Sequence, residues 1–198
     1  MPAGLNLEFA KSEQLTIYEA MRKAAELGYR YVEPYVYTEL AMRINSHLQV
    51  QTTSEYHHIH TDQVDAKQIR QWLQELDLKF SAVDAHSTLL LPQIGVPYLK
   101  RAIDFAHETE CPIVMSDEGP MDAWMPFDQA FETMCMSLEA VIPYAQEKGV
   151  LMTIELHNPL TTDKNSLVQL MKRFSPNELG INFDTGNSFL AGNDPVEM

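Results

Sequence analysis

The strongest constraint on this chain is the order in which its apolar segments change period. Short runs rich in aromatic and β-branched residues alternate with stretches of helical spacing, from one end of the sequence to the other. "AGLNLEF" (3–9) reads as a strand, and "TIYEAMRKAAELG" (16–28) as a helix. In that helix Ile17, Ala20, Met21, Ala24 and Leu27 share one face. Thr16 and Glu19 have the spacing of a capping box, and Gly28 stands where the helix should end. "YRYVEPYVY" (29–37) is the next strand, and a polar stretch then runs to about residue 63. Helix 64–78, strand 79–87, helix 96–110, strand 111–119, helix 126–149, strand 150–158, helix 165–175 and strand 179–187 complete the series. Pro143 is expected to bend the long helix.

Strands separated by helices make parallel sheets with right-handed crossovers. Two architectures compete, a doubly wound open sheet and a closed barrel of eight βα units. The glycine-rich phosphate turn of a dinucleotide fold is missing after the first strand, where "LEFAKSEQ" stands. The count is six strands and five helices in one domain spanning 1–198, with no linker or low-complexity segment. The final "NDPVEM" reads as the start of another helix, with Asp194 as N-cap, Pro195 at the first position and Glu197 closing the box. The expectation is therefore an α/β (β/α)8 TIM barrel that is incomplete here, lacking the seventh and eighth strands.

Composition narrows the function classes. With 45% hydrophobic and 21% charged residues, the chain has the makeup of a globular protein rather than a disordered one. The longest apolar runs fall short of a membrane span, and the first residues lack the basic and apolar regions of a secretory signal. The two cysteines, Cys111 and Cys135, have no metal-finger spacing and read as free thiols of a reducing compartment, so a cytoplasmic location is expected. A formal charge of −14, without a lysine and arginine cluster, disfavours nucleic acid as a partner.

Side chains alternate across a strand, and this places polar groups together. Leu151, Thr153, Glu155 and His157 share one face of the fifth strand, while Met152, Ile154 and Leu156 share the other. On the sixth, Asn182 and Asp184 point the same way as Glu155, and Ile181 and Phe183 point toward the helices. Glu33 on the second strand, Asp84 and His86 on the third, and Asp117 on the fourth also fall near carboxyl ends, where a parallel barrel has its mouth. Two inward carboxylates on neighbouring strands repel unless a proton, a set of donors or a divalent ion sits with them. Glu155 and Asp184 are thus either a metal pair or a pair held by backbone N–H groups or an arginine. His86 is either a substrate contact or a satisfied core histidine, and His157 has a plausible substrate role beside Glu155. His57, His58 and His60 of "EYHHIH" fall in the polar stretch, where a solvated lid competes with metal ligation; His107 reads as surface.

Taken together, "GYRYVEPYVY", "MTIELHNPLTT" and "INFDTGNSFLAGNDPVEM" resemble the sugar phosphate isomerase/epimerase family of xylose isomerase-like TIM barrels. The resemblance implies a divalent ion (Mn2+, Mg2+, Co2+ or Zn2+) held by Glu155 and Asp184, with two more ligands from strands this sequence does not contain. It implies Glu155 and an eighth-strand glutamate not contained in this sequence as the proton-transfer pair, and Asn187 as a substrate contact; Glu33, His86 and His157, by their places at strand ends, are the other expected substrate contacts. Asn187 stands where many members carry a histidine. The expected activity is isomerisation or epimerisation of a small sugar or sugar derivative through an enediolate. Two alternatives stand beside it: a metal-dependent lyase or dehydratase on a cyclic polyol or sugar conjugate, and an inactive piece that needs a partner. A small carbohydrate is the expected partner, with no nucleic acid and no membrane, and with homo-oligomerisation left open.

Overall fold

The computed structural model describes residues 3–38, 58–61, 64–86 and 88–198. Within them the predicted alternation holds, with its elements shorter than expected. The strands are β1 (Gly4–Asn6), β2 (Tyr31–Glu33), β3 (Val36–Tyr37), β4 (Ile59–His60), β5 (Lys79–Phe80), β6 (Val83–Asp84), β7 (Ile113–Ser116), β8 (Leu151–Glu155) and β9 (Leu179–Asn182). The helices are α1 (Ala10–Glu13), α2 (Ile17–Glu26), α3 (Ala66–Glu75), α4 (Pro92–Glu108), α5 (Phe127–Glu147), α6 (Pro159–Thr162), α7 (Lys164–Arg173) and α8 (Thr185–Leu190).

The chain divides into two compact units, one of residues 1–85 and 101–114 and the other of residues 86–100 and 115–198. In the first, β1, β2 and β5 form a parallel sheet in which Leu5 pairs with Val32 and Val32 with Phe80. The expected strand 29–37 is interrupted at Pro34, which has no N–H to donate to a ladder. Its second half, β3, pairs in parallel with β4, a strand inside the stretch expected to be loop. α2 begins with the predicted capping box: Thr16 N–H donates to the Glu19 carboxylate (2.9 Å), and Glu19 N–H to Thr16 Oγ1 (3.3 Å). It ends at Gly28, whose φ of +90° a side chain would resist. Ile17, Ala20, Met21 and Ala24 are buried as the spacing predicts, whereas Leu27 is exposed. α3 buries Ala66, Ile69 and Leu73, and Trp72 meets the Tyr18 ring.

In the second unit β8 and β9 pair in parallel, with Ile154 opposite Ile181 and Glu155 opposite Asn182. A methyl at Gly180 would come within 3.1 Å of Thr153 Cγ2, so the glycine lets the two strands close. Met152, Ile154 and Leu156 are fully buried, as alternation requires. Ile181 and Phe183 were expected to be covered by helices as well, but they are 38% and 41% exposed. α5 runs through Pro143 and buries Phe131, Met134, Leu138, Val141 and Ile142 along one stripe. After α8, "NDPVEM" forms a turn in which Val196 N–H donates to Asp194 Oδ1 (2.8 Å) and Met198 N–H to the Asp194 carbonyl (3.1 Å). Among the described residues no helix is long and apolar enough to cross a membrane.

Candidate functional site

The second unit gathers its buried polar groups just beyond the ends of its strands. β8 finishes on Glu155, which is buried. His86 Nε2 lies 3.0 Å from Glu155 Oε2, and Asn187 Nδ2 lies 3.5 Å from Glu155 Oε1. Glu155 Oε2 is buried and accepts no aligned hydrogen bond, so the approach of His86 is an ion-pair contact rather than a directed bond. The His86 and His157 rings meet edge to face, with centroids 4.9 Å apart and planes at 78°.

Two acidic residues that follow β7 hold the turn after β8. Asp117 Oδ2 accepts from Asn158 Nδ2 (2.8 Å) and lies 3.0 Å from His157 Nδ1. This hydrogen bond raises the His157 pKa above its ordinary value, against the opposing effect of burial. It also places the Nδ1 proton toward Asp117, which leaves Nε2 as the acceptor of the neutral ring. Asp117 Oδ1 is buried with no hydrogen-bond partner among the described residues. Glu118, fully buried, accepts from Leu160 N–H (2.8 Å), Thr161 N–H (3.1 Å) and Thr161 Oγ1 (2.8 Å). Burial pushes its pKa up to about 7, although the Thr161 hydroxyl pulls the other way. Thr161 Oγ1 in turn accepts from His157 N–H (3.0 Å) and Asn158 N–H (3.4 Å), which ties the turn to α6.

Asp184 lies beyond β9 rather than on it. It is the N-cap of α8, and its Oδ1 accepts from Asn187 N–H at 2.7 Å. The cap fixes the first turn of α8 and with it the Asn187 amide beside Glu155. Glu155, His86, His157 and Asn187 are thus brought together, and Asp184 is joined to them through Asn187. Glu33 belongs to the first unit, where it accepts from Asn6 Nδ2 at 3.0 Å. His58 and His60 are also in that unit, with the His58 ring 4.8 Å from that of Tyr37. His57 lies outside the described residues, and His107 is exposed on α4. Sequence spacing placed Asp117 at a strand end without giving it a task. It could not reveal that Asp117 and Glu118 grip residues about forty positions further on.

These side chains suit a cation. Two buried carboxylate oxygens, Glu155 Oε2 and Asp117 Oδ1, accept no hydrogen bond among the described residues, and a buried charge short of donors is costly. His86, Asp117 and His157 each offer a ligand atom, and these atoms all lie within 4.8 Å of one another. Oxygen and imidazole donors together fit a divalent ion.

A family model described as xylose isomerase-like TIM barrel matches residues 21–198. No curated protein matches the sequence. Among solved structures, a D-tagatose 3-epimerase-like protein superposes with a TM-score of 0.76 at 17% identity, covering all of this chain and 69% of that one. A probable 3-DHS dehydratase from Bacillus anthracis gives 0.70 at 15%, covering 100% and 68%. A xylose isomerase-like TIM barrel protein from Mycobacterium smegmatis, in complex with magnesium, gives 0.66 at 16%, covering 94% and 65%. The chain therefore spans about two thirds of the length of these structures, and it has their α/β, TIM-barrel-like fold.

Proposed function

This chain belongs to the xylose isomerase-like TIM barrel family, and from that premise we propose that it serves a divalent-metal-dependent isomerase or epimerase of a small sugar or sugar derivative. The observation that carries the reading is Glu155, a buried carboxylate at the end of a strand. One of its oxygens accepts no hydrogen bond, and His86 and Asn187 flank it. Similarity to an epimerase-like protein and to a magnesium complex supports it.

Glu155 and Asp184 would hold the ion, which when bound would act as a Lewis acid on a carbonyl and its neighbouring hydroxyl. The chain's own groups act beside it. Glu155 Oε2 takes the proton from the carbon beside the carbonyl, and a second carboxylate, which the family resemblance places on an eighth strand outside this sequence, returns one to complete the exchange. Asn187 donates toward Oε1 and keeps the carboxylate turned so that Oε2 faces the reacting carbon. Asp184 fixes Asn187 by capping α8, and the Asn187 amide has a second hydrogen for a substrate hydroxyl. His86 and His157 are the further substrate contacts of this reading. A dehydratase would use the same proton abstraction and then expel a β-hydroxyl. The similarity to a probable dehydratase favours keeping that reading in the test.

The test is turnover of simple ketoses in deuterated water with Mg2+, Mn2+ or Co2+ added, with products identified by NMR. A stereoisomer carrying deuterium at the abstracted position supports epimerisation, and loss of water supports the dehydratase. Glu155→Gln should lower turnover by about 100-fold or more, the scale of a lost general base. Asp184→Asn should reduce metal retention. Undiminished turnover in Glu155→Gln would refute the assignment.

A further inference from the structure

We propose that His86, Asp117 and His157 form a binding site of their own for a divalent first-row transition metal, with a ligand set distinct from Glu155 and Asp184. This goes beyond the sugar reading above, and it assigns to metal two histidines expected there to touch substrate.

Several independent features converge. A ligand atom from each residue lies within 4.8 Å of the others. Asp117 brings a negative charge into a place where its side chain is only 5% exposed, and its Oδ1 accepts no hydrogen bond. A carboxylate so placed lacks a partner that a cation would supply. The two imidazoles have the spacing that ligands of a common ion would have. Two rings bonded at about 2.1 Å and separated by about 100° at the ion have centroids about 5 Å apart, and the His86 and His157 centroids are 4.9 Å apart. Asn158 Nδ2 donates to Asp117 Oδ2, the outer support that metal-binding carboxylates usually have. Donors at the corners of a tetrahedron around such an ion lie about 3.4 Å apart. Closing from 4.8 Å therefore requires movements of about 1 Å, which His157, with its side chain 46% exposed, is free to make. Two nitrogens and one oxygen select zinc, cobalt, iron or manganese over calcium and magnesium, which prefer all-oxygen shells.

The experiment is a titration of the chelator-treated full chain with Co2+, followed by the visible ligand-field band and by calorimetry. His157→Gln and Asp117→Asn should each weaken the binding of one Co2+ equivalent by about 10-fold or more, while Asp184→Asn, which removes the ion of the sugar reading, leaves that equivalent and its band in place. His157→Gln decides alone if Asp117→Asn fails to fold, because its half-exposed ring can be removed without opening the core. Unchanged Co2+ affinity in His157→Gln overturns the proposal. So does loss in Asp184→Asn to the same extent as in His157→Gln, which would mean one shared ion. Failure of the sugar reading shows up separately, as full turnover in Glu155→Gln with the Co2+ band unaffected.

Discussion

Replacing Thr161 by valine removes one hydroxyl and almost no volume, and the structure says what that hydroxyl carries. Thr161 is 1% exposed. Its oxygen accepts from His157 N–H at 3.0 Å and from Asn158 N–H at 3.4 Å, and its proton goes to Glu118 Oε2 at 2.8 Å. Valine would leave at least one backbone N–H without an acceptor and would strip the buried Glu118 of one of its three donors. Each unsatisfied buried group costs about 1–3 kcal/mol, so Thr161→Val should destabilise the protein by about 2–4 kcal/mol. Thr161→Ser keeps the hydroxyl and loses one methyl, at a cost of about 1 kcal/mol. Urea unfolding of the two variants under the same conditions gives the comparison. A gap of about 2 kcal/mol is expected, with the m-value unchanged. If Thr161→Val lies within about 0.5 kcal/mol of Thr161→Ser, a precision unfolding curves can reach, the turn is not held by this hydroxyl.

Glu118 should give the metal-free protein a pH-dependent stability. Its folded pKa of about 7 lies above the ordinary 4.5, so the stabilising state is the protonated one. Its contribution is fully present below about pH 4.5 and is lost as pH rises through 7, by about 3 kcal/mol in all at 1.4 kcal/mol per unit. Glu118→Gln should flatten this slope in urea melts between pH 5 and 8; parallel profiles for the two proteins would contradict the burial argument. At the other end of the chain, Gly28→Ala should cost about 1 kcal/mol. Nothing lies within 4 Å of the added methyl, so the cost is the φ of +90° alone. A neutral result in thermal melts would mean that the end of α2 relaxes.

The period of the apolar residues made the βα order legible, because burial on one face of a helix or both faces of a strand is a local matter. The capping box at Thr16 and Glu19 was legible for the same reason: all its partners lie within four residues. Element ends were less so. Pro34 divides one expected strand, and the short β4 arises where "HHIH" gave no strand signal, since its pairing with β3 is set over more than twenty residues. Strand alternation correctly put Glu155 and His157 on one side. It could not say that His157 falls beyond the strand and is turned by Asp117, or that Asp184 also falls beyond its strand and caps a helix. These contacts join side chains that chain topology alone brings near.

Asp117 and Glu118 show how far the environment, rather than residue type, assigns a role. They are adjacent acids, both buried, and a sequence reading treats them alike. Glu118 has both oxygens engaged: two backbone N–H groups on one and a hydroxyl on the other. Held in this way, it works as an anchor for α6. Asp117 spends one oxygen on Asn158 and His157 and keeps the other buried and unused. A protein does not gain by burying a bare carboxylate oxygen for packing alone, because a neutral side chain of the same shape would serve without the desolvation cost. The two neighbours should therefore part company on substitution by their amides. Glu118→Gln should change stability and leave Co2+ affinity intact. Asp117→Asn should weaken Co2+ binding and change stability less, since asparagine can still accept from Asn158 through its remaining oxygen. The reverse pattern would make Asp117 the anchor and remove the reason for placing an ion beside it.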